Sequence, residues 1–275
     1  MKLFSRLKVG FGLARRSGRV LRAHPKLLVF PLVGGLSGVA FLATLFGSLF
    51  LTGPLLRDPG PALFGALFVA YLVETFVASF FSAALIAATR SAFRGEEPSI
   101  RRAIGVAWRH KWPLLAWSVV AAVVGVVIRA IDSQDTLVAE ILAGLFAVAW
   151  SVMTYFVVPV IVFRDPSVTE MFGESARTFK DTWGESLGAM GAVDVVTVLL
   201  VLVGAALGLG TYLVLPVGGT ARLLSAVLVG GTVAVFGALV GKALTGVAKT
   251  ALYVYATERE APEFFDDMDF GALSR

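Results

Sequence analysis

Three ionisable residues, Glu74, Asp194 and Lys242, interrupt stretches that are otherwise almost purely apolar. A charged group at a bilayer centre costs about 2.5–3.5 kcal/mol on insertion scales, so each is a candidate functional residue. Glu74 lies close to the midpoint of the run 61–89, with Thr75, Ser79 and Ser82 extending its polar character. Asp194 falls about 12 Å into the run 187–215 at 1.5 Å per residue. Lys242 stands near the end of the run 223–248, where it is expected to neutralise Asp194. Arg129 and Glu140 flank a turn and are expected to pair at the membrane boundary. These residues admit two readings. In one, Glu74 and Asp194 are proton or cation sites of a small transporter or channel. In the other, a hydrogen-bonded glutamic acid ties helices together and the lysine reaches for the interface.

Enzymatic motifs are poorly supported. Gly35-Leu36-Ser37-Gly38 spells the Gly-x-Ser-Gly of rhomboid-type intramembrane serine proteases. A serine nucleophile needs a base within hydrogen-bond reach, and the two histidines, His24 and His110, fall in basic connections. Asp194 has no second aspartate at matching depth for aspartyl protease chemistry. Gly237-x-x-x-Gly241-Lys242-Ala243 lacks the spacing and hydroxyl of a phosphate-binding loop. With no cysteine and two histidines, neither thiolate chemistry nor a metal cluster is expected. The expectation is a protein without catalytic, cofactor or metal residues, and not an enzyme.

The elements that hold these residues follow from composition. Apolar residues make up 57% of the 275 and charged residues 16%, against about 45–50% and 25% in soluble domains. Six runs are long enough to cross the ~30 Å hydrocarbon layer: 27–52, 61–89, 112–130, 137–163, 187–215 and 223–248. Short turns rich in helix breakers join them in pairs, which predicts an all-α, polytopic membrane protein with six transmembrane helices in three hairpins. Alternating ten-residue segments of a β-barrel are absent. Of the 24 lysines and arginines, 21 fall in the termini and long connections, leaving Arg57, Arg129 and Arg222 for the short turns. Both termini are therefore expected in the cytoplasm of a cell (plasma or inner) membrane protein. Residues 1–26 carry eight basic residues and no acid. They read as the prelude to a retained first span rather than a cleaved signal.

Each hairpin is preceded by a segment with one-sided helical periodicity: Leu3, Leu7, Phe11, Ala14 and Leu21; then Ile100, Ala103, Ile104, Ala107 and Trp108; then Val168, Met171, Phe172, Ser175 and Phe179. Ser167 and Glu170 form a capping-box signature. Such segments are expected as cytoplasmic interfacial amphipathic helices, apolar side down. The chain thus reads as one transmembrane domain, 1–257, that is also a threefold repeat over 1–89, 98–163 and 166–257. Alternation of long basic connections with short turns produces the same echo without a repeat. Gly34/Gly38, Gly204/Gly208 and Gly237/Gly241 are small-xxx-small pairs, within the chain or between copies.

The tail, 258–275, combines six acids with three phenylalanines and a methionine. Phe264, Phe265, Asp266 and Asp267 are its candidate docking residues, for the chain's own basic helices or for a soluble partner. The basic N-terminal helix suits the anionic lipid of the cytoplasmic leaflet, and its apolar stripe disfavours nucleic acid. A membrane-protein partner or a second copy is the other expected associate.

The text at 154–186, Thr-Tyr-Phe-Val-Val-Pro-Val-Ile-Val-Phe-Arg-Asp-Pro-Ser-Val through Glu-Ser-Ala-Arg-Thr-Phe-Lys-Asp-Thr-Trp-Gly-Glu, and Lys249-Thr250-Ala251-Leu252-Tyr253-Val254-Tyr255-Ala256-Thr257 carry a resemblance. With the tail phenylalanines, they resemble a prokaryotic (archaeal and bacterial) family of six-span integral membrane proteins filed as a domain of unknown function. More distantly, the pattern is similar to the membrane domain fused to some glycerophosphodiester phosphodiesterases. The resemblance implies the six-span topology and transfers no catalytic residue. Taken together, the expected role is structural or accessory, organising lipid or partner proteins through the cytoplasmic face. The small transporter or channel is its alternative.

Overall fold

Helix starts follow the capping chemistry of the sequence. The Ser99 hydroxyl accepts the Arg102 N–H at 3.4 Å and the Thr136 hydroxyl that of Ala139 at 3.2 Å, so each satisfies an otherwise orphaned donor. At Ser167 the capping box forms its reciprocal half. Glu170 Oε2 accepts the Ser167 backbone N–H at 3.0 Å and its hydroxyl at 2.6 Å. The computed structural model describes residues 2–52, 59–132, 134, 136–183, 187–216, 218–266 and 268, and the regular elements among them are all helical. They are α1 (Lys2–Ala23), a 3-10 turn (Pro25–Leu28), α2 (Val29–Thr52), α3 (Pro59–Ala92), α4 (Ile100–Arg109) and α5 (Lys111–Asp132). Then follow α6 (Leu137–Met153), α7 (Val157–Arg164), α8 (Val168–Trp183), α9 (Leu187–Val214) and α10 (Gly219–Glu258).

Six stretches of described residues are long and apolar enough to cross a membrane: Pro25–Leu51, Leu63–Ala92, Lys111–Asp132, Leu137–Arg164, Asp194–Val214 and Gly219–Glu258. Their outer faces leave large apolar side chains uncovered by protein, as at Leu51 (85% exposed) and Leu228 (71%). Soluble chains rarely expose continuous apolar surface of this kind. The protein is a multi-pass membrane protein. At 40 residues α10 is about 60 Å long, twice the hydrocarbon thickness.

Contacts cluster in two compact units. The first comprises Met1–Pro31, Thr89–Pro98 and Trp183–Arg275. In it α1 and the 3-10 turn pack against α10, and α1 also against α9. Over 243–254, α10 buries Ala243, Leu244, Val247, Ala248, Ala251, Leu252, Tyr253 and Val254, so this end is covered nearly all round, as a core helix is. α1 buries Leu13, Ala14, Ser17, Val20 and Leu21, whereas Phe11 is 45% exposed. Its packed stripe is thus shifted from the one periodicity suggested. α9 and α10 approach at backbone distance. A Cβ built on Gly230 would lie 2.6 Å from the Gly208 Cα and 2.8 Å from the Gly204 oxygen. One on Gly237 would lie 2.9 Å from the Leu200 Cβ. Each glycine pair, Gly204/Gly208 of α9 and Gly237/Gly241 of α10, lies against the other helix within this chain.

The second unit comprises Leu32–Ala88 and Ser99–Thr182. Gly34 and Gly38 of α2 face Phe81 and Glu74 of α3. The fourth span is broken: α6 ends at Met153 and α7 starts at Val157. Pro159 explains the position, because it has no N–H for the carbonyl four residues back, that of Tyr155. Trp117 of α5 stacks on Trp150 of α6, with centroids 5.8 Å apart and planes 14° from parallel. Phe172 of α8 packs on both rings. The α8 stripe that periodicity assigned to the lipid interface is turned toward the chain itself: Met171, Ser175 and Phe179 are buried in protein.

Candidate functional site

Of the intramembrane polar residues, Glu74 and Asp194 each meet a neighbouring helix of their own unit, whereas Lys242 is exposed. In the second unit the Glu74 carboxyl lies against the backbone of α2. A Cβ on Gly38 would fall 2.6 Å from Glu74 Oε2, so the glycine makes room for the acid. Glu74 Oε1 is buried and has no hydrogen-bond partner among the described residues. Ser79 serves another purpose than the expected polar stripe. Its buried hydroxyl accepts the Trp117 indole N–H at 3.0 Å, fixing the stacked pair.

In the first unit Thr245 of α10 donates its hydroxyl to Asp194 Oδ1 of α9 at 3.3 Å. Lys249, one turn beyond Thr245, is an electrostatic neighbour of Asp194. Lys242, expected to be that cation, is exposed. Residues 242, 245 and 249 share a helix face, and the depth at which α9 meets α10 selects among them. Arg129 likewise differs from expectation. It pairs with Asp132 at 3.0 Å, one turn along its own helix, rather than with Glu140. Ser37 is exposed, and His110 engages the Val106 carbonyl through Nδ1 at 2.8 Å. Its Nε2 lies 3.7 Å from Asp165.

The most developed polar arrangement in the first unit is at the end of α10. The tail turns back through two residues in the left-handed region, Arg259 (φ 60°) and Phe264 (φ 75°). Phe265 is fully buried, edge-on to Phe93 with centroids 5.7 Å apart. Phe264 meets the His24 ring edge-on at 6.2 Å, and Met268 is buried. Asp266 is exposed, and Asp267 lies outside the described residues. Beside the tail, Arg90, Arg94, Glu258 and Glu263 line a cleft of about 150 Å³ with Phe93 and Val254. Arg90 Nη2 lies 3.9 Å from Glu258. Glu97 receives a hydrogen bond from Lys26 Nζ at 2.7 Å, and His24 Nδ1 lies 3.8 Å away. The Lys26 hydrogen bond, then its charge, holds the Glu97 carboxyl below its ordinary range.

Several participants were not anticipated. Glu97, Phe93 and Thr245 carry no motif, and only the fold shows what they meet. Ser175 stood on the α8 face expected to meet lipid, and nothing in the sequence told which donor it would satisfy.

A family model described as a family of unknown function, DUF6159, matches residues 62–262. The chain belongs to that family. Comparison with curated proteins and with solved structures finds no match. The matched span begins inside α3 and runs to Pro262, so it takes in Glu74, Asp194 and the glycines of α9 and α10, while α1, α2 and Phe265 lie outside it.

Proposed function

We propose that this is a non-enzymatic protein of the cell membrane, plasma or inner, with both termini in the cytoplasm. Its role is to organise anionic lipid or a partner membrane protein through its cytoplasmic face. In this reading the six spans form three hairpins, each preceded by an amphipathic helix at the interface. A recurring relation supports the threefold repeat over 1–89, 98–163 and 166–257: a connecting helix packs on the spans before it. Trp108 of α4 meets Phe80 of α3 at 6.3 Å. Phe172 of α8 meets Trp150 of α6 at 6.0 Å. α1, the first helix, has no span before it and packs on the last pair, α9 and α10.

The observation that carries the proposal is the fully buried Phe265, seated on Phe93 at the end of α10. The acidic tail is thereby built into a defined surface, with Asp266 left exposed. A photo-crosslinking amino acid placed at Asp266 in native membranes tests it. A discrete adduct with one protein, or with a second copy, is expected. No adduct together with a solitary monomer in gentle detergent overturns the protein half of the reading. Proton or cation flux through proteoliposomes, lost in Glu74→Gln, overturns the whole and makes the chain a transporter.

A further inference from the structure

Within the second unit, α4 and the first turn of α5 carry cations that the chain does not neutralise. Some cations of the chain meet acids: Lys26 meets Glu97, Arg164 meets Glu174 at 3.4 Å, and Arg129 meets Asp132. Arg101 and Lys111 have no carboxylate partner among the described residues, and Arg101 is exposed. Lys111 Nζ is instead held over two indoles, 5.0 Å from the Trp108 ring centroid and 5.7 Å from that of Trp112. Both rings are large apolar surfaces turned outward, Trp108 59% and Trp112 68% exposed. The edge contact with Phe80 fixes the Trp108 ring.

Positions 101, 105 and 108 of α4 recur at four and three residues and so form one stripe, and Gly105 in their midst has open space where a Cβ would stand. Lys111, reaching over both indoles from the first turn of α5, joins Trp112 to it. The stripe sits where Lys111–Asp132, a span, begins. A half-apolar surface with indole N–H donors and unneutralised cations, at the level where hydrocarbon gives way to headgroups, matches one kind of ligand. Tryptophan favours that level, and lysine and arginine there meet phosphate. We propose that Arg101, Trp108, Lys111 and Trp112 form a seat for the phosphodiester of an anionic glycerophospholipid, the indoles lying against the glycerol and upper acyl chains. This rests on the reading that the cytoplasmic face engages lipid, and names the place where it does.

The test uses the full chain reconstituted in phosphatidylcholine vesicles with spin-labelled phosphatidylglycerol or spin-labelled phosphatidylcholine, reading the motionally restricted fraction of each. The wild type is expected to restrict the anionic lipid at least about threefold more strongly, since each basic residue near such a surface contributes appreciably. Arg101→Gln with Lys111→Gln should bring that preference most of the way to unity, and Trp108→Leu with Trp112→Leu should halve it. The charge-matched Arg129→Gln with Arg222→Gln, in the turns assigned to the opposite face, should leave the larger part. A preference that survives in the Arg101/Lys111 variant, or falls as far in the Arg129/Arg222 control, overturns the seat and leaves the wider lipid reading standing. No preference in the wild type overturns both. Millimolar inorganic phosphate that removes it, where chloride of equal ionic strength does not, marks a free-anion site and overturns the lipid assignment. Thermal unfolding of each variant in detergent separates lost binding from lost folding.

Discussion

The Ser175 hydroxyl of α8 accepts the backbone N–H of Phe156 at 3.0 Å, and both residues are fully buried. Pro159 breaks the fourth span, and a side chain from the next helix satisfies a donor that the break leaves over. Without that hydroxyl a backbone N–H is buried with no acceptor, which costs about 1–3 kcal/mol. Ser175→Ala is therefore expected to lower the unfolding midpoint in detergent by several degrees. Leaving the midpoint unmoved would show that the hydroxyl is dispensable.

Two adjacent glycines on α10 should respond oppositely. A Cβ on Gly230 meets backbone atoms of α9, whereas one on Gly231 meets nothing within 4 Å. Backbone cannot step aside as a side-chain tip can, so Gly230→Ala should cost at least the ~1–3 kcal/mol typical of overpacking. Gly231→Ala should be neutral or slightly stabilising, because alanine is the better helix former. Denaturant titration of both variants checks the contrast, and equal effects would contradict the close approach of α9 and α10.

Acid should loosen the contact between the first span's entry and the turn after α3. Glu97 is held below its ordinary 4.5, first by the Lys26 hydrogen bond and then by its charge. A depressed carboxylate contributes stability that is complete above its ordinary value and disappears as pH falls through the folded one. As pH falls below that ordinary value, the unfolding midpoint should drop more steeply in the wild type than in Glu97→Gln. Parallel curves would show that Lys26 and Glu97 do not interact in solution.

Removing the Phe265 ring leaves a hole against Phe93. Aromatic-to-alanine changes in cores cost about 3–5 kcal/mol, and here the loss falls on the tail rather than on the spans. Phe265→Ala should therefore speed amide exchange and proteolysis over 259–268 while leaving exchange in α9 and α10 as it was. Unchanged tail exchange would mean that the ring does not hold the segment.

Much of this organisation was legible beforehand. Half of the capping box read at Ser167 and Glu170 forms, and the glycine pairs lie at helix contacts. Other expectations failed for one shared reason. Asp194 is served by Thr245 and Lys249 rather than Lys242, and Arg129 takes Asp132 rather than Glu140. A single sequence says how deep a residue lies along its own helix, but not how that helix is rotated or slid against the next. The α8 stripe shows the same limit. Its periodicity announced a buried side correctly, yet could not say whether lipid or protein would cover it.

The sequence by itself determined how many spans there are and roughly where they lie, since partition into hydrocarbon depends on composition summed along the chain, and that needs no partner. Tertiary structure alone decided which polar group meets which: Glu74 against Gly38, Thr245 with Asp194, Phe156 with Ser175, Phe265 on Phe93. Those pairings act over three to six ångströms between residues far apart in the chain. The physical reason is range: partition is a property of a segment, whereas a hydrogen bond or ring contact exists only after packing has set the register.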